Sequence, residues 1–224
     1  SDLDLWLPRD CPTANALRGV TFFGSRILIV GENRTVLYAD EVNDFRPGTL
    51  TGGPATNYWL EAVTASSQLA VAAGDDGHVL TSNNGINWFH QNSGTNAFLR
   101  GAAYGNNVFV IVGKNGAILT SPNGTNWTKR TSGTPRDLNR VNFGNNRFTV
   151  VGVNGVTLSS TNNGTNWFTE YPGATNTLQY ASVGGTDRLL DGIHEVRLED
   201  NQVWSNELAK TNGPPDWSYY SAIG

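Results

Sequence analysis

The chain has 224 residues, of which 15% are charged and 26 are glycine, and its formal net charge is −4 at pH 7. So little charge excludes a coiled coil or a solvated disordered chain, and the acidic balance argues against nonspecific nucleic-acid binding. No apolar run approaches the ~18 residues of a membrane span, and Cys11, the single cysteine, has no partner for an internal disulfide. Abundant Gly and Asn mark tight turns and predict an all-β protein of short strands.

The N-terminal segment contains a short apolar stretch at 3–7. Its Trp6 precedes Leu17 by eleven residues, the same offset that separates each later repeat's Trp from the next leading Leu. This phase predicts that residues 1–16 supply a closing strand that pairs with the last repeat and protects a sheet edge. Because the chain has no Met and starts at Ser1, we expect a removed signal peptide and a secreted or periplasmic protein, although an arbitrary start would look the same.

A repeat of about 40 residues organises the rest of the chain, which we interpret as one domain over 1–224. Leading leucines define the repeats 17–59, 60–98, 99–137, 138–177 and 178–217. Each repeat reads as four short strands, with an apolar run such as 108–112 followed by an Asn-Gly hairpin turn such as 113–116. Units of this size are typical of propeller blades. We therefore predict a β-propeller, with five four-stranded blades closed by the N-terminal strand. The alternatives are part of a larger propeller and a small β-sandwich.

Three repeats carry a Ser-x-Asn-Gly-x-Asn-Trp motif after the third strand, the last copy being one residue longer. Its residues are Ser82, Asn84, Gly85 and Trp88, then Ser121, Asn123, Gly124 and Trp127, then Ser160, Asn162, Gly164 and Trp167. The motif resembles the Asp-box (BNR repeat) of sialidase-like propellers, with Asn where that family usually has Asp. The longer pattern, over about 17–199, is similar to the photosystem II assembly factor family Ycf48/Hcf136. The resemblance implies a structural turn whose Asn caps the backbone and whose Trp packs between sheets.

Catalytic residues are not evident in the sequence. Sialidase chemistry would need an arginine triad, a Tyr–Glu pair and an acid, and only 44–47 faintly echoes the arginine signature. A glycosidase needs two facing carboxylates, and Glu61 is the only acidic residue at the position expected to line the channel. His78, His90 and His194 lack metal-site spacing, and a surface position is expected for His78 beside its turn. We therefore expect no enzyme activity, no metal and no cofactor.

The residue after each leading Leu is polar in every repeat: Arg18, Glu61, Arg100, Asn139 and Gln179, with Arg140 adjacent. If the first strand lines the central channel, these side chains converge at a mouth able to hold a peptide, a sugar or a charged tail. The Ycf48 resemblance implies an Arg-rich patch there; Arg18 and Arg100 match it, and Arg140 is displaced by one residue. The alternative is that these groups only solvate the channel and form ion pairs, Arg18 or Arg100 with Glu61.

A second candidate surface is aromatic and comprises Tyr58, Trp59, Trp217, Tyr219 and Tyr220. These side chains suit sugar stacking or a protein contact, and burial against the closing strand is the alternative. We expect a non-catalytic binding or assembly subunit that contacts another protein through the channel mouth or one face. A carbohydrate-binding, lectin-like propeller is the alternative, followed by a glycosidase or sialidase-like enzyme. Neither a nucleic-acid partner nor a membrane span is expected.

Overall fold

The computed structural model describes residues 11–41 and 44–170 in full, and the backbone of the strands at 180–184, 186–190, 194–199, 202–207 and 218–220. The described residues form short strands and three 3-10 turns, Asp75–Gly77, Lys114–Gly116 and Val153–Gly155. This confirms the predicted all-β fold. No helix in these ranges is long and apolar enough to cross a membrane.

The strands form five sheets, three of them built from one repeat each. The first sheet contains β1 (Leu17–Phe23), β2 (Arg26–Gly31), β3 (Val36–Ala39) and β4 (Arg46–Pro47). The second contains β5 (Thr49–Thr51), β6 (Leu60–Ala65), β7 (Ala70–Gly74), β8 (Val79–Ser82) and β9 (Asn87–Gln91). The third contains β10 (Leu99–Gly105), β11 (Val108–Gly113), β12 (Ile118–Ser121) and β13 (Thr128–Arg130). The fourth contains β14 (Leu138–Gly144), β15 (Arg147–Gly152), β16 (Thr157–Ser160) and β17 (Phe168–Thr169).

The last repeat and the residues just after it form a fifth antiparallel sheet of β18 (Tyr180–Gly184), β19 (Thr186–Leu190), β20 (His194–Glu199), β21 (Gln202–Glu207) and β22 (Ser218–Tyr220). Its first strand packs against β14. The described structure is thus a propeller of four blades with this sheet beside the fourth, and the prediction of five blades is wrong in number. Residues 1–10 lie outside the described residues, so the closing strand predicted there stays a prediction.

The first blade has an open side. Among the described strands, β1 packs closely only against β2 and β6. Leu17, Val20 and Phe22 on β1 are 42%, 67% and 71% exposed, whereas the leading leucines of the next three blades are fully buried. A leading Leu is buried only where a preceding blade covers it, so the sequence pattern by itself cannot show whether the ring closes.

The core lies between successive blades because each middle strand is apolar on both faces. On β11, Phe109 and Ile111 pack towards the second blade, while Val110 and Val112 pack towards the fourth. A side-chain period of two therefore produces a continuous apolar run when both faces are covered. The adjoining hairpin turn has Asn115 at φ 56° and closes with a hydrogen bond from the Ala117 N–H to the Lys114 carbonyl of 3.1 Å, which confirms the predicted Asn-Gly turn.

The second blade has an additional strand on its outer edge. β5, which belongs to the first sequence repeat, pairs in parallel with β9 through Thr49–Asn87, Leu50–Trp88 and Thr51–Phe89. The sequence boundary at residue 59 is therefore not the structural boundary between the first two blades. In the third and fourth sheets, β13 and β17 are the outermost described strands.

Candidate functional site

A β-bulge at the start of the innermost strand in each of the first four blades presents the polar residue of the repeat. Leu17 pairs with Gly31 and Gly19 with Val30, so Arg18 is the extra, unpaired residue between them. The same irregularity recurs at three further positions, where the extra residues are Glu61, Arg100 and Asn139. A bulge twists the strand and re-aims a side chain. The pairing therefore explains why a polar residue is accommodated between apolar neighbours in each repeat.

A cavity of about 300 Å³ lies between the innermost strands. Its wall is formed by small and aliphatic residues, and Arg18, Glu61, Arg140 and Asn142 supply its polar groups. The small residues are required by close approach of the backbones, since a Cβ on Gly101 would lie 2.8 Å from the Arg140 Cα. Among the described residues that line the cavity, Glu61 is the only carboxylate. The cavity therefore has a largely aliphatic wall with two arginines, one carboxylate and one amide among its lining residues.

Arg18 is held as a cation at the cavity. Its Nη2 lies 2.5 Å from Glu32 Oε1, and its guanidinium carbon lies 5.0 Å from the Trp59 ring centroid. The hydrogen bond to Glu32, with a further contribution from the charge of Glu61, raises the pKa of Arg18 above its ordinary value. The ion-pair partner of Arg18 is thus Glu32, which corrects the alternative in which Glu61 fills that role.

The arginines of the third and fourth blades form one network with the backbone. Arg100 Nη1 donates to Asn139 Oδ1 at 2.9 Å and lies 3.3 Å from Asp137 Oδ2. Arg140 Nη1 donates to the carbonyls of Arg100 at 2.6 Å and Asn139 at 3.0 Å. Asn139 is only 5% exposed. Arg100 therefore pairs with Asp137 rather than Glu61, and Arg100 and Asn139 do not line the cavity but brace its wall.

Of the predicted ring, the structure brings Arg18, Glu61 and Arg140 to one cavity. Gln179 lies outside the described residues. Asn142, which sequence reasoning missed, also lines the cavity. It is two residues beyond Arg140 on the same strand, so a period of two from Arg140 identifies it.

The Ser-x-Asn-Gly motif forms a turn capped by its own side chains. Ser121 Oγ accepts from the Gly124 N–H at 2.8 Å, and Asn123 Oδ1 accepts from Asn126 N–H at 2.9 Å. Trp127 Nε1 donates to the Gly124 carbonyl at 2.9 Å. The equivalent bonds of the other two copies are present. The polar atoms of the motif are thus engaged within the turn, as the structural interpretation of the motif expects.

The aromatic surface is only partly present in the described residues. Trp59 is 40% exposed and lies beneath Arg18 at the edge of the mouth. Tyr58 is 2% exposed, so the expectation that it belongs to an exposed aromatic patch is wrong. The side chains of Trp217, Tyr219 and Tyr220 lie outside the described residues.

A histidine pair that the sequence did not predict lies in the second blade, with His78 just before β8 and His90 on β9. His78 Nδ1 and His90 Nε2 are 2.8 Å apart, and Tyr58 stacks on His78 with ring centroids 3.9 Å apart. Burial lowers the pKa of both histidines, with the second ring lowering that of His90 further. His78 is therefore not the free surface side chain that its turn position suggests. The described residues contain no group of three metal-ligating side chains.

Comparison with known proteins identifies the fold. No protein-family model and no curated protein matches the sequence. Among solved structures, the chain is similar to YCF48 from Cyanidioschyzon merolae at 16% identity and TM-score 0.65, covering 93% of this chain and 73% of that chain. A structure of YCF48 bound to D1 peptide has 18% identity and TM-score 0.63, with coverages of 87% and 68%. The WD40 β-propeller domain of Doa1 has 12% identity and TM-score 0.58, with coverages of 87% and 66%. These likenesses confirm the β-propeller fold.

Proposed function

We propose that this protein is a non-catalytic binding or assembly subunit that holds an extended segment of another protein in its channel mouth. The observation that carries the proposal is the convergence of Arg18, Glu61 and Arg140 on one cavity between the innermost strands. Arg18, which is paired with Glu32, and Arg140 offer donors to the cavity, and Glu61 offers an acceptor; fixed polar groups of this kind set the orientation and specificity of a bound segment. The braced wall of Arg100, Asn139 and Asp137 holds the cavity in shape before binding, which reduces the entropy cost.

A protein partner is supported by the solved propellers. One of the YCF48 structures is described as bound to a peptide of D1, so a propeller with a similar fold accommodates a peptide. The resemblance of this chain's repeats to that family points in the same direction. The partner of this chain is not inferred from YCF48. Its size and chemistry are inferred from the cavity volume and the polar groups of this chain.

The absence of catalysis is also part of the proposal. Glycoside hydrolysis needs two carboxylates about 5–9.5 Å apart, and Glu61 is the only carboxylate among the described residues lining the mouth. A lectin built on this repeat would be expected to expose one aromatic ring per blade, yet Trp88 is fully buried and Trp127 and Trp167 are partly buried against the core. We also propose a secreted or periplasmic location, for which recovery of the mature protein from the cytosol would be contrary evidence.

The test is isolation of the native protein under mild conditions, followed by identification of co-purifying chains and their direct binding. Arg18→Glu should lower the affinity for the partner about tenfold or more, because it reverses the charge of one of the two arginines lining the mouth. Arg46→Glu is the matched control, since it makes the same charge change on β4 at the outer edge of the first blade. Equal affinity of the two variants, or isolation without a partner together with a specific glycan-array signal, would refute the proposal.

A further inference from the structure

The outer edge of the second blade shows how this propeller accepts an added strand. The Thr49 N–H donates to the Ile86 carbonyl at 2.8 Å, and Leu50 lies opposite Trp88 in the parallel pairing of β5 with β9. Leu50 packs against the cluster that contains Trp88, and Trp88 is fully buried. A segment of three residues thus completes the sheet edge and covers the turn's Trp.

The same edge is open on the third blade. There β13 pairs only with β12 among the described strands. The turn before it matches that of the second blade, with the same bond from the Trp indole to the turn Gly. Trp127 is nevertheless only partly buried. Since the local turn is the same, the remaining exposure of Trp127 reflects the missing cover over it.

The charge along this edge selects the occupant. Lys129 is exposed and has no ion pair among the described residues. Lys129 and Arg130 line a cavity of about 620 Å³ together with Lys114 and Phe98, and Asp76 is its only carboxylate among the described residues. The corresponding residues of the fourth blade are Thr169 and Glu170. Among the described residues, the third blade thus combines an open edge with a cationic groove.

The register places the acidic residues of such an occupant. In the second blade Thr51 pairs with Phe89, the residue before His90, and the backbone at Gly53 lies so close to His90 that a Cβ there would be 2.8 Å from His90 Cδ2. Lys129 is the third-blade equivalent of His90 in the repeat. A segment that pairs with β13 as β5 pairs with β9 therefore carries its residues beyond the aliphatic one to Lys129.

We infer that the outer edge of the third blade binds an acidic extended segment of a partner protein by parallel strand addition to β13. An aliphatic residue covers Trp127, and one or two carboxylates following it meet Lys129, Arg130 and Lys114. Main-chain hydrogen bonds supply affinity in this mode, and alternate side chains supply specificity. This site is separate from the channel mouth and does not depend on the function proposed for it.

The probe is the capped peptide Gly-Thr-Leu-Thr-Asp-Asp, which takes 48–51 and continues with two aspartates in extended conformation instead of the φ +77° backbone of Gly52 and Gly53. Titration into the labelled full chain should shift backbone amides at 126–130. Lys129→Glu should weaken binding about tenfold through reversed charge, while Thr169→Glu, the same charge at the fourth blade, should leave it unchanged. Arg18→Glu should also leave it unchanged, which distinguishes this site from the mouth.

Two modified peptides test the strand pairing. N-methylation of the first Thr removes the donor equivalent to the Thr49 N–H and should abolish binding, whereas N-methylation of Leu should be tolerated because alternate amides of an added edge strand face away from the sheet. The inference is overturned by no amide shifts up to millimolar peptide, by shifts confined to the channel, or by equal binding of the Lys129→Glu variant. Self-association that Lys129→Glu abolishes would instead identify a second copy as the occupant and would also overturn it.

Discussion

The glycine of the capped turn should be essential for contact between blades, and Gly124→Ala tests this. Gly124 has φ +72°, and a Cβ there would lie 2.5 Å from Leu69 Cδ2 and 3.2 Å from Thr81 Cγ2 of the preceding blade. The left-handed backbone costs an alanine about 1–2 kcal/mol, and overpacking of a close-packed contact costs about 1–3 kcal/mol. We therefore expect Gly124→Ala to lower the free energy of unfolding by about 2–5 kcal/mol.

Gly133→Ala is the matched control for backbone strain. Gly133 has φ +77°, but no atom lies within 4 Å of its added Cβ. This variant should lose only about 1–2 kcal/mol. Urea unfolding followed by fluorescence and circular dichroism measures both changes, and the m-values show whether the transitions remain comparable. Equal losses in the two variants would refute the packing argument.

A double-mutant cycle separates the clash from other effects of the new methyl group. Leu69→Ala removes the Cδ2 atom that the Cβ of the Gly124→Ala variant would meet. In the Leu69→Ala background, Gly124→Ala should cost less than in the unaltered protein, because most of the steric term is gone. An unchanged cost in that background would place the loss in the backbone of the turn rather than between the blades.

Three further variants test other parts of the structure. Asn123→Ala should destabilise by about 1 kcal/mol in urea unfolding, since it removes the acceptor of two backbone N–H groups, whereas Asn123→Asp should retain the cap. The pKa values of His78 and His90 are lowered in the folded protein, so the unfolded chain binds more protons; stability should be fully present above about pH 6.5 and fall as the pH decreases towards the folded pKa values. His90→Gln should flatten that fall in unfolding measured across pH, and an unchanged slope would contradict it. Leu50→Ala should uncover Trp88, lower stability by about 1–3 kcal/mol and shift tryptophan emission to longer wavelength; unchanged emission would contradict the cover.

Sequence reasoning succeeded wherever a feature depends on near neighbours along the chain. The Asn115–Gly116 turn was predictable because its backbone needs positive φ at both residues. The capped turn around Asn123 was predictable because a side-chain oxygen reaches amides two and three residues ahead. The β-bulge at Arg18 was not predictable as a bulge, since its register depends on Gly31 and Val30 of the next strand. Its polar side chain was still identified, because the repeat recurs with a polar residue there.

At the candidate site, too, local features were predictable and contacts between distant residues were not. The polar positions at the channel mouth are visible in the repeat, but the partner of each arginine is not. Glu32 and Asp137, rather than Glu61, pair with Arg18 and Arg100; Glu32 directly follows β2 and Asp137 directly precedes β14, so only the packing of the strands brings them to their arginines. The histidine pair of His78 and His90 was missed since neither residue has a motif, and only the hairpin pairing brings the rings together.

The sequence by itself determined the repeating unit, its alternation of strands and turns, and which positions are polar, because these follow from backbone preferences and from periodic burial. Only the tertiary structure decided how many blades form, how β1 is left open, and which sheet receives residues 49–51. The physical reason is that nearly equivalent repeats carry nearly the same local pattern, while packing between blades depends on which neighbour is present. Trp88 and Trp127 follow turns of the same geometry in two different blades. Their burial differs because Leu50 covers Trp88.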